Sequence, residues 1–153
     1  MKSLTTYINE KMVYNKSTAN NIKYNYYPKT KEELKKLIIQ LVEERGNEGD
    51  FNDIDTSEIT DMSELFLPKF NGDISEWDVS NVTDMCCMFY DCESFNQPLN
   101  KWNVSNVTNI RWMFDNCRSF NQDISNWDVS NVRGKIEMFD ACPIEEKYKP
   151  KFK

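Results

Sequence analysis

The sequence predicts an α/β repeat solenoid: a stack of about four coils, each 23–25 residues long, closed at its N-terminal end by an amphipathic helix. Three observations predict it. Large apolar residues return at a constant interval of 25, with Trp77, Trp102 and Trp127 as the clearest mark. A helical stripe, Leu34, Leu37, Ile38, Leu41 and Val42, stands just before the first copy. Hydrophobic residues make up 39% of the chain and aromatic residues 13%, which suits an elongated shape whose core is built from large rings.

The elements follow in chain order. Residues 1–20 hold a short amphipathic segment, 3–12, with Leu4, Tyr7, Ile8 and Met12 on one side. Its opening, MKSLTTYINE, resembles the N-terminal capsid-targeting peptides of internal proteins of tailed phages. In those a prohead protease cuts after a Leu/Ile-x-Glu motif, which Ile8-Asn9-Glu10 fits, although Lys11 stands where alanine is usual. The resemblance implies processing at Ile8 and Glu10; a small helix docked on the cap is the plainer alternative. Residues 21–50 are expected to form that cap. The run 22–27 (IKYNYY) reads as extended, and Pro28 separates it from a helix over 30–46. Thr30 and Glu33 offer a capping box, and Gly46 a stop.

Residues 51–142 carry the repeats. Copies start at Ile74, Leu99 and Ile124, and an earlier copy starts at Phe51 with a two-residue deletion after Phe66. Val79, Val104 and Val129 are in register, as are Met88, Met113 and Met138, Phe89, Phe114 and Phe139, and Cys92, Cys117 and Cys142. One such unit cannot bury its own apolar face. Stacking brings equivalent side chains together, so each column becomes a strip of core. The Trp and Phe columns are expected to pack face to edge between rungs spaced about 4.8 Å apart. The polar columns Ser80, Ser105, Ser130 and Asn81, Asn106, Asn131 are expected to bond turn backbone. Within a copy, 83–90 (TDMCCMFY) reads as a short helix or 3₁₀ turn and 94–99 (SFNQPL) as a short strand. Pro143 ends the last copy, and residues 143–153 read as a loose basic tail.

The pattern MF-x₂-C-x₂-F-N-x₂-[IL]-x₂-W-[DN]-V-S-N-V-T, quoted from residues 88–108, resembles the BspA-like leucine-rich repeat family, over residues 51–142. The resemblance implies a curved, leucine-rich-repeat-like solenoid of short strands and helical turns used for protein recognition. Short versions of this kind resemble proteins of Bacteroides-type bacteria and their crAss-like phages. Many members are long and exported, whereas residues 1–20 lack the apolar run of a secretion signal. The expected location is therefore the cytoplasm of a bacterial or phage-infected cell, or a virion.

Charge and composition narrow the function. The net charge is −6, concentrated in residues 51–142, where sixteen Asp/Glu face six Lys/Arg. An acidic surface repels phosphate backbones, so nucleic acid is not an expected partner. No apolar run reaches the roughly 18 residues of a membrane span. With no histidine, Ser–His and Cys–His nucleophile pairs are absent, no Gly-rich phosphate loop is present among four glycines, and no pair of carboxylates stands out. No cofactor, metal or catalytic residue is expected. The five cysteines do not make a disulfide framework; three follow the repeat and read as packing groups.

Candidate binding residues are sought where the repeats differ, because the core columns are already committed to stacking. One such column is Cys87, Trp112, Glu137; its neighbours supply Arg111 and Tyr90. Tryptophan beside arginine and tyrosine is the composition of an interface anchor. Trp112 also fits as cover for a local gap in the core. The expected function is a non-enzymatic protein-binding or scaffolding module of bacterial or phage origin, able to self-associate, with a phage-particle cargo or structural protein as the alternative.

Overall fold

The computed structural model describes residues 24–153, so Ile8 and Glu10 lie outside the described residues. Regular secondary structure is sparse. Among the described residues it consists of helix α1, Lys31–Arg45, and a 3₁₀ turn, Glu146–Tyr148. The rest is a series of turns around a large buried core rich in Phe and Trp.

Helix α1 forms where its sequence places it. The Thr30 side chain accepts from the Glu33 N–H at 3.2 Å. The Glu33 carboxylate reaches past Thr30 to accept from the Lys29 N–H at 2.8 Å, so the capping box closes one residue early. Gly46 ends the helix at φ 80, donating to Val42. Leu34, Leu37, Ile38 and Leu41 are buried, and Val42 is half-buried against the core. Arg45 fixes the far end of α1 through a two-pronged bond to Asp53, at 2.8 and 3.0 Å.

Equivalent residues of successive copies touch. Parallel bridges run from Asp61 to Asp84, from Asp84 to Asn109 and from Asn109 to Gly134, with Asp50 to Asp73 and Tyr26 to Ile54 nearer the start. The step is 23 residues between the first two copies and 25 afterwards, which places the deletion where the sequence put it. Along 84–91 every second N–H donates to the next copy: Met85 to Asn109, Cys87 to Arg111, Phe89 to Met113 and Asp91 to Asp115, at 2.9–3.1 Å. The pattern recurs one copy later, from Ile110, Trp112, Phe114 and Asn116.

The structure differs from expectation in two places, and the alternation explains the first. Residues 83–90 are a series of turns closed by i→i+3 bonds, nearer the expected 3₁₀ turn than a helix, and 94–99 are not a strand. The intervening peptides close local turns, as in Met88 N–H to Met85 and Tyr90 N–H to Cys87. Positive φ at Cys87 and Asp91 interrupts the run of negative φ that a helix requires.

The core rings stack in parallel and not face to edge. Phe66, Phe89, Phe114 and Phe139 form one column, with centroids 5.1–5.8 Å apart and planes within 19°. Phe70, Phe95 and Phe120 form a second. Trp102 and Trp127 lie 6.4 Å apart at 2°. Copies related by near-translation carry the same rotamer, and translated rings are necessarily parallel; the offset between them keeps the contact favourable. Each core indole also finds an acceptor one copy back: Trp77 Nε1 donates to Phe51, Trp102 to Ile74 and Trp127 to Leu99, at 2.9–3.1 Å. The Asn81, Asn106 and Asn131 amides donate to Ser57, Ser80 and Ser105 carbonyls, each at 2.7 Å.

The tail is docked, contrary to the loose segment expected from its composition. Ile144 is buried, the Ile124 N–H donates to the Tyr148 carbonyl at 3.0 Å, and Tyr148 and Phe152 pack on the core. Isoleucine and aromatic residues placed between the lysines supply the apolar contact that a charge count hides.

Candidate functional site

The column that varies between copies has an unusual backbone. Glu64, Cys87, Trp112 and Glu137 occupy equivalent places, and all four have φ between 48 and 55. Asp91, Asn116 and Ala141 form a second such column, at φ 48 to 59. Asn and Asp enter the left-handed region cheaply; Trp, Cys and Glu do not, and each residue there costs about 1–2 kcal/mol. The turn geometry of the ladder imposes this conformation. Glycine would relieve it, yet no copy uses glycine.

Trp112 is half-buried, and its indole N–H donates to the Glu137 carboxylate at 2.8 Å. The structure therefore brings together two of the expected residues across one copy step. Arg111 is exposed. Its side chain lies over Gly134, where an added Cβ would stand 2.9 Å from the guanidinium Nε; Gly134 leaves the space that Arg111 occupies. Tyr90 is 46% exposed. With Cys87 it lines an open cleft of about 320 Å³, whose other walls are Lys35, Glu64, Phe66, Pro68 and Asp91. The five expected residues thus fall into two groups, Cys87 with Tyr90 at the cleft and Arg111 with Trp112 and Glu137 beyond it.

Sequence reasoning missed three contributors. Lys35 arrives from α1, where it donates to the Glu64 carbonyl at 2.7 Å; nothing in the repeat pattern announces a helix residue at this place. Pro68 and the exposed Leu67 sit at the deletion. The left-handed column had a partial signal in its neighbour, since Asp91 and Asn116 are residue types that favour positive φ.

Electrostatics make this face acidic and chemically quiet. Burial raises the Asp115 carboxyl above its ordinary value, and the nearby Asp140, Glu137 and Asp91 push the same way. Asp91 and Asp115 raise the Tyr90 phenol. Burial, the hydrogen bond with Cys86 and the charges of Cys86, Glu64 and Asp115 raise the Cys87 thiol to about 12, so it stays protonated near neutrality and is a poor nucleophile. Burial likewise raises Cys92 to about 12 and Cys117 further. No three or more Cys, Asp or Glu side chains gather into a metal-holding group among the described residues, and no described helix is long and apolar enough to cross a membrane.

No curated protein and no solved structure matched the chain in the comparisons made. The family model described as "Mycoplasma protein of unknown function, DUF285" matches residues 34–150, from the first buried leucine of α1 through the last copy and into the docked tail. The chain belongs to that family, whose repeats are of the BspA-like, leucine-rich type.

Proposed function

We propose that the chain is a short leucine-rich-repeat-like solenoid of bacterial or phage origin that acts as a non-enzymatic protein-binding module. Translation-related ring columns and repeated parallel bridges support the solenoid reading. The observation that carries the binding reading is the left-handed column. Cys87, Trp112 and Glu137 hold a strained backbone conformation at the surface, and the core columns do not require those side chains. The ladder imposes that conformation in every copy, so what changes along the column is the side chain alone, which is left free to meet a partner. Trp112 with Arg111 and Glu137 supplies a partly desolvated ring rimmed by both charge signs, the kind of surface on which partner side chains anchor.

Affinity capture from the encoding organism tests this, comparing the native chain with a Trp112→Ala, Arg111→Ala double variant. The expected result is a defined protein retained by the first and lost by the second, with melting temperatures within about 5 °C. An unchanged set of captured proteins, or a variant that unfolds, overturns it. The particle-cargo alternative rests on Ile8 and Glu10 and draws no support from the described residues.

A further inference from the structure

The ladder along 84–91 has a direction. In each copy alternate carbonyls face the preceding copy and alternate N–H groups face the next, so the aligned peptides run head to tail through the stack. One end of this ladder is an edge of acceptors and the other an edge of donors. At the acceptor end α1 brings cations: Lys35 donates to the Glu64 carbonyl at 2.7 Å and Lys31 to the Ser63 hydroxyl at 2.7 Å. At the donor end the equivalent N–H groups belong to Lys135, Glu137, Phe139 and Ala141. Their counterparts at 110, 112, 114 and 116 all bond to the following copy, whereas these four have no hydrogen-bond partner among the described residues.

The docked tail does not satisfy them. Its backbone bond goes to Ile124, and its carboxylates are taken by its own lysines, Glu145 by Lys147 and Glu146 by Lys149. The edge is exposed at Lys135, at Glu137 and at Ile136, which is 54% exposed. Its charge is mixed, with Glu137 and Asp140 exposed on the edge itself beside Arg133, Lys135 and the tail lysines. Lys135 lies over the Phe152 ring and Lys149 over the Phe139 ring, and residues 133–153 hold six Lys/Arg against four Asp/Glu, while the copies before them are acidic.

We propose that this C-terminal edge is a docking surface for an extended acidic peptide segment of another protein, which adds to the stack as a further rung. Four unpaired donors call for an occupant that accepts, and the Arg133 carbonyl, whose counterparts Thr83 and Thr108 accept from the following copy, offers it one acceptor in return. Alternate carbonyls of an extended peptide match donors spaced two residues apart, carboxylates meet the surrounding lysines, and an apolar side chain covers Ile136. A second copy of this chain would meet α1 at its own first copy, where Lys31 holds Ser63 and Lys35 holds Glu64, and it is the competing outcome of the test. This edge meets the Trp112 face at Glu137, whose carboxylate accepts from the Trp112 indole while its N–H belongs to the edge; Lys135, Phe139 and Ala141 lie outside the proposed anchor, so shifts at those three amides report the edge independently of a partner captured through Trp112 and Arg111.

The test is an amide NMR titration of the full chain with an end-capped eight-residue peptide of alternating valine and glutamate, against the same peptide with lysine for glutamate. The expected result is shifts and slowed exchange at Lys135, Glu137, Phe139 and Ala141, little change at 110, 112, 114 and 116, and at least tenfold weaker binding in Lys135→Glu and, separately, in Lys149→Glu. Four outcomes overturn the proposal: no shift at millimolar peptide, equal binding of the lysine peptide, the four amides already protected before peptide is added, or self-association that occupies the edge instead.

Discussion

Two columns run side by side through this molecule and obey different rules. Phe66, Phe89, Phe114 and Phe139 are one residue type, stacked and almost all buried. Glu64, Cys87, Trp112 and Glu137 share one backbone conformation and no chemistry. In the first, every side chain is a neighbour's packing surface, so a change in one copy is felt in two others. In the second, the ladder fixes the backbone and leaves the side chain free. Stability is written where the copies agree, and whatever the protein recognises is written where they differ.

The largest expected effect breaks the uniform column. Phe89→Ala removes a fully buried ring stacked on Phe66, Phe114 and Phe95. It should cost about 3–5 kcal/mol, seen as a fall in melting temperature of about 10 °C or more. A fall of only a few degrees would mean that the copies do not depend on one another. Next comes the joint between cap and stack. Asp53→Asn halves the two-pronged bond from Arg45 and should cost about 1.5–3 kcal/mol in chemical denaturation.

Acid titration compares the two regions through their charge. Burial pushes Asp53, Asp61 and Asp73 up, but hydrogen bonds from Arg45 and Asn25, from Ser63 and Lys31, and from Ser75 outweigh it and hold the three carboxyls below their ordinary 3.8. Their stabilisation is complete above that value and is lost as pH falls through the lower folded values. Asp115 has the opposite sign. Burial and like charges raise it, so its contribution is present in acid and is lost as pH rises through the raised value. Asp115→Asn should therefore stabilise the chain at neutral pH, by at most about 0.5 kcal/mol, and do less in acid. Denaturation midpoints at the two pH values check this; destabilisation at neutrality would show that the acidic face is not under strain.

Much of this was legible from residue spacing alone. The interval of 25, the deletion after Phe66, the buried face of α1 and the Asn81–Asn106–Asn131 ladder all follow from which residue types return and at what step. What was not legible depends on backbone direction. Residues 83–90 have helical composition, but inter-copy bonding takes every second peptide and forces Cys87 through positive φ. Parallel ring stacking follows from translation, which a pairwise preference for edge contacts overlooks. The docked tail escaped because lysines dominate its charge while Ile144, Tyr148 and Phe152 dominate its packing. At the candidate site the residue types of the variable column were readable; their strain and the arrival of Lys35 from α1 were not.

The separation of the two columns is tested most directly by the melting temperature of Trp112→Gly beside that of Phe114→Ala. Glycine relieves about 1–2 kcal/mol of left-handed strain against the loss of a half-buried ring and an exposed hydrogen bond to Glu137. The net cost should stay under about 2 kcal/mol, a shift of no more than about 5 °C, while Phe114→Ala falls by about 10 °C or more. Equal losses in the two variants would place Trp112 in the core and contradict the account.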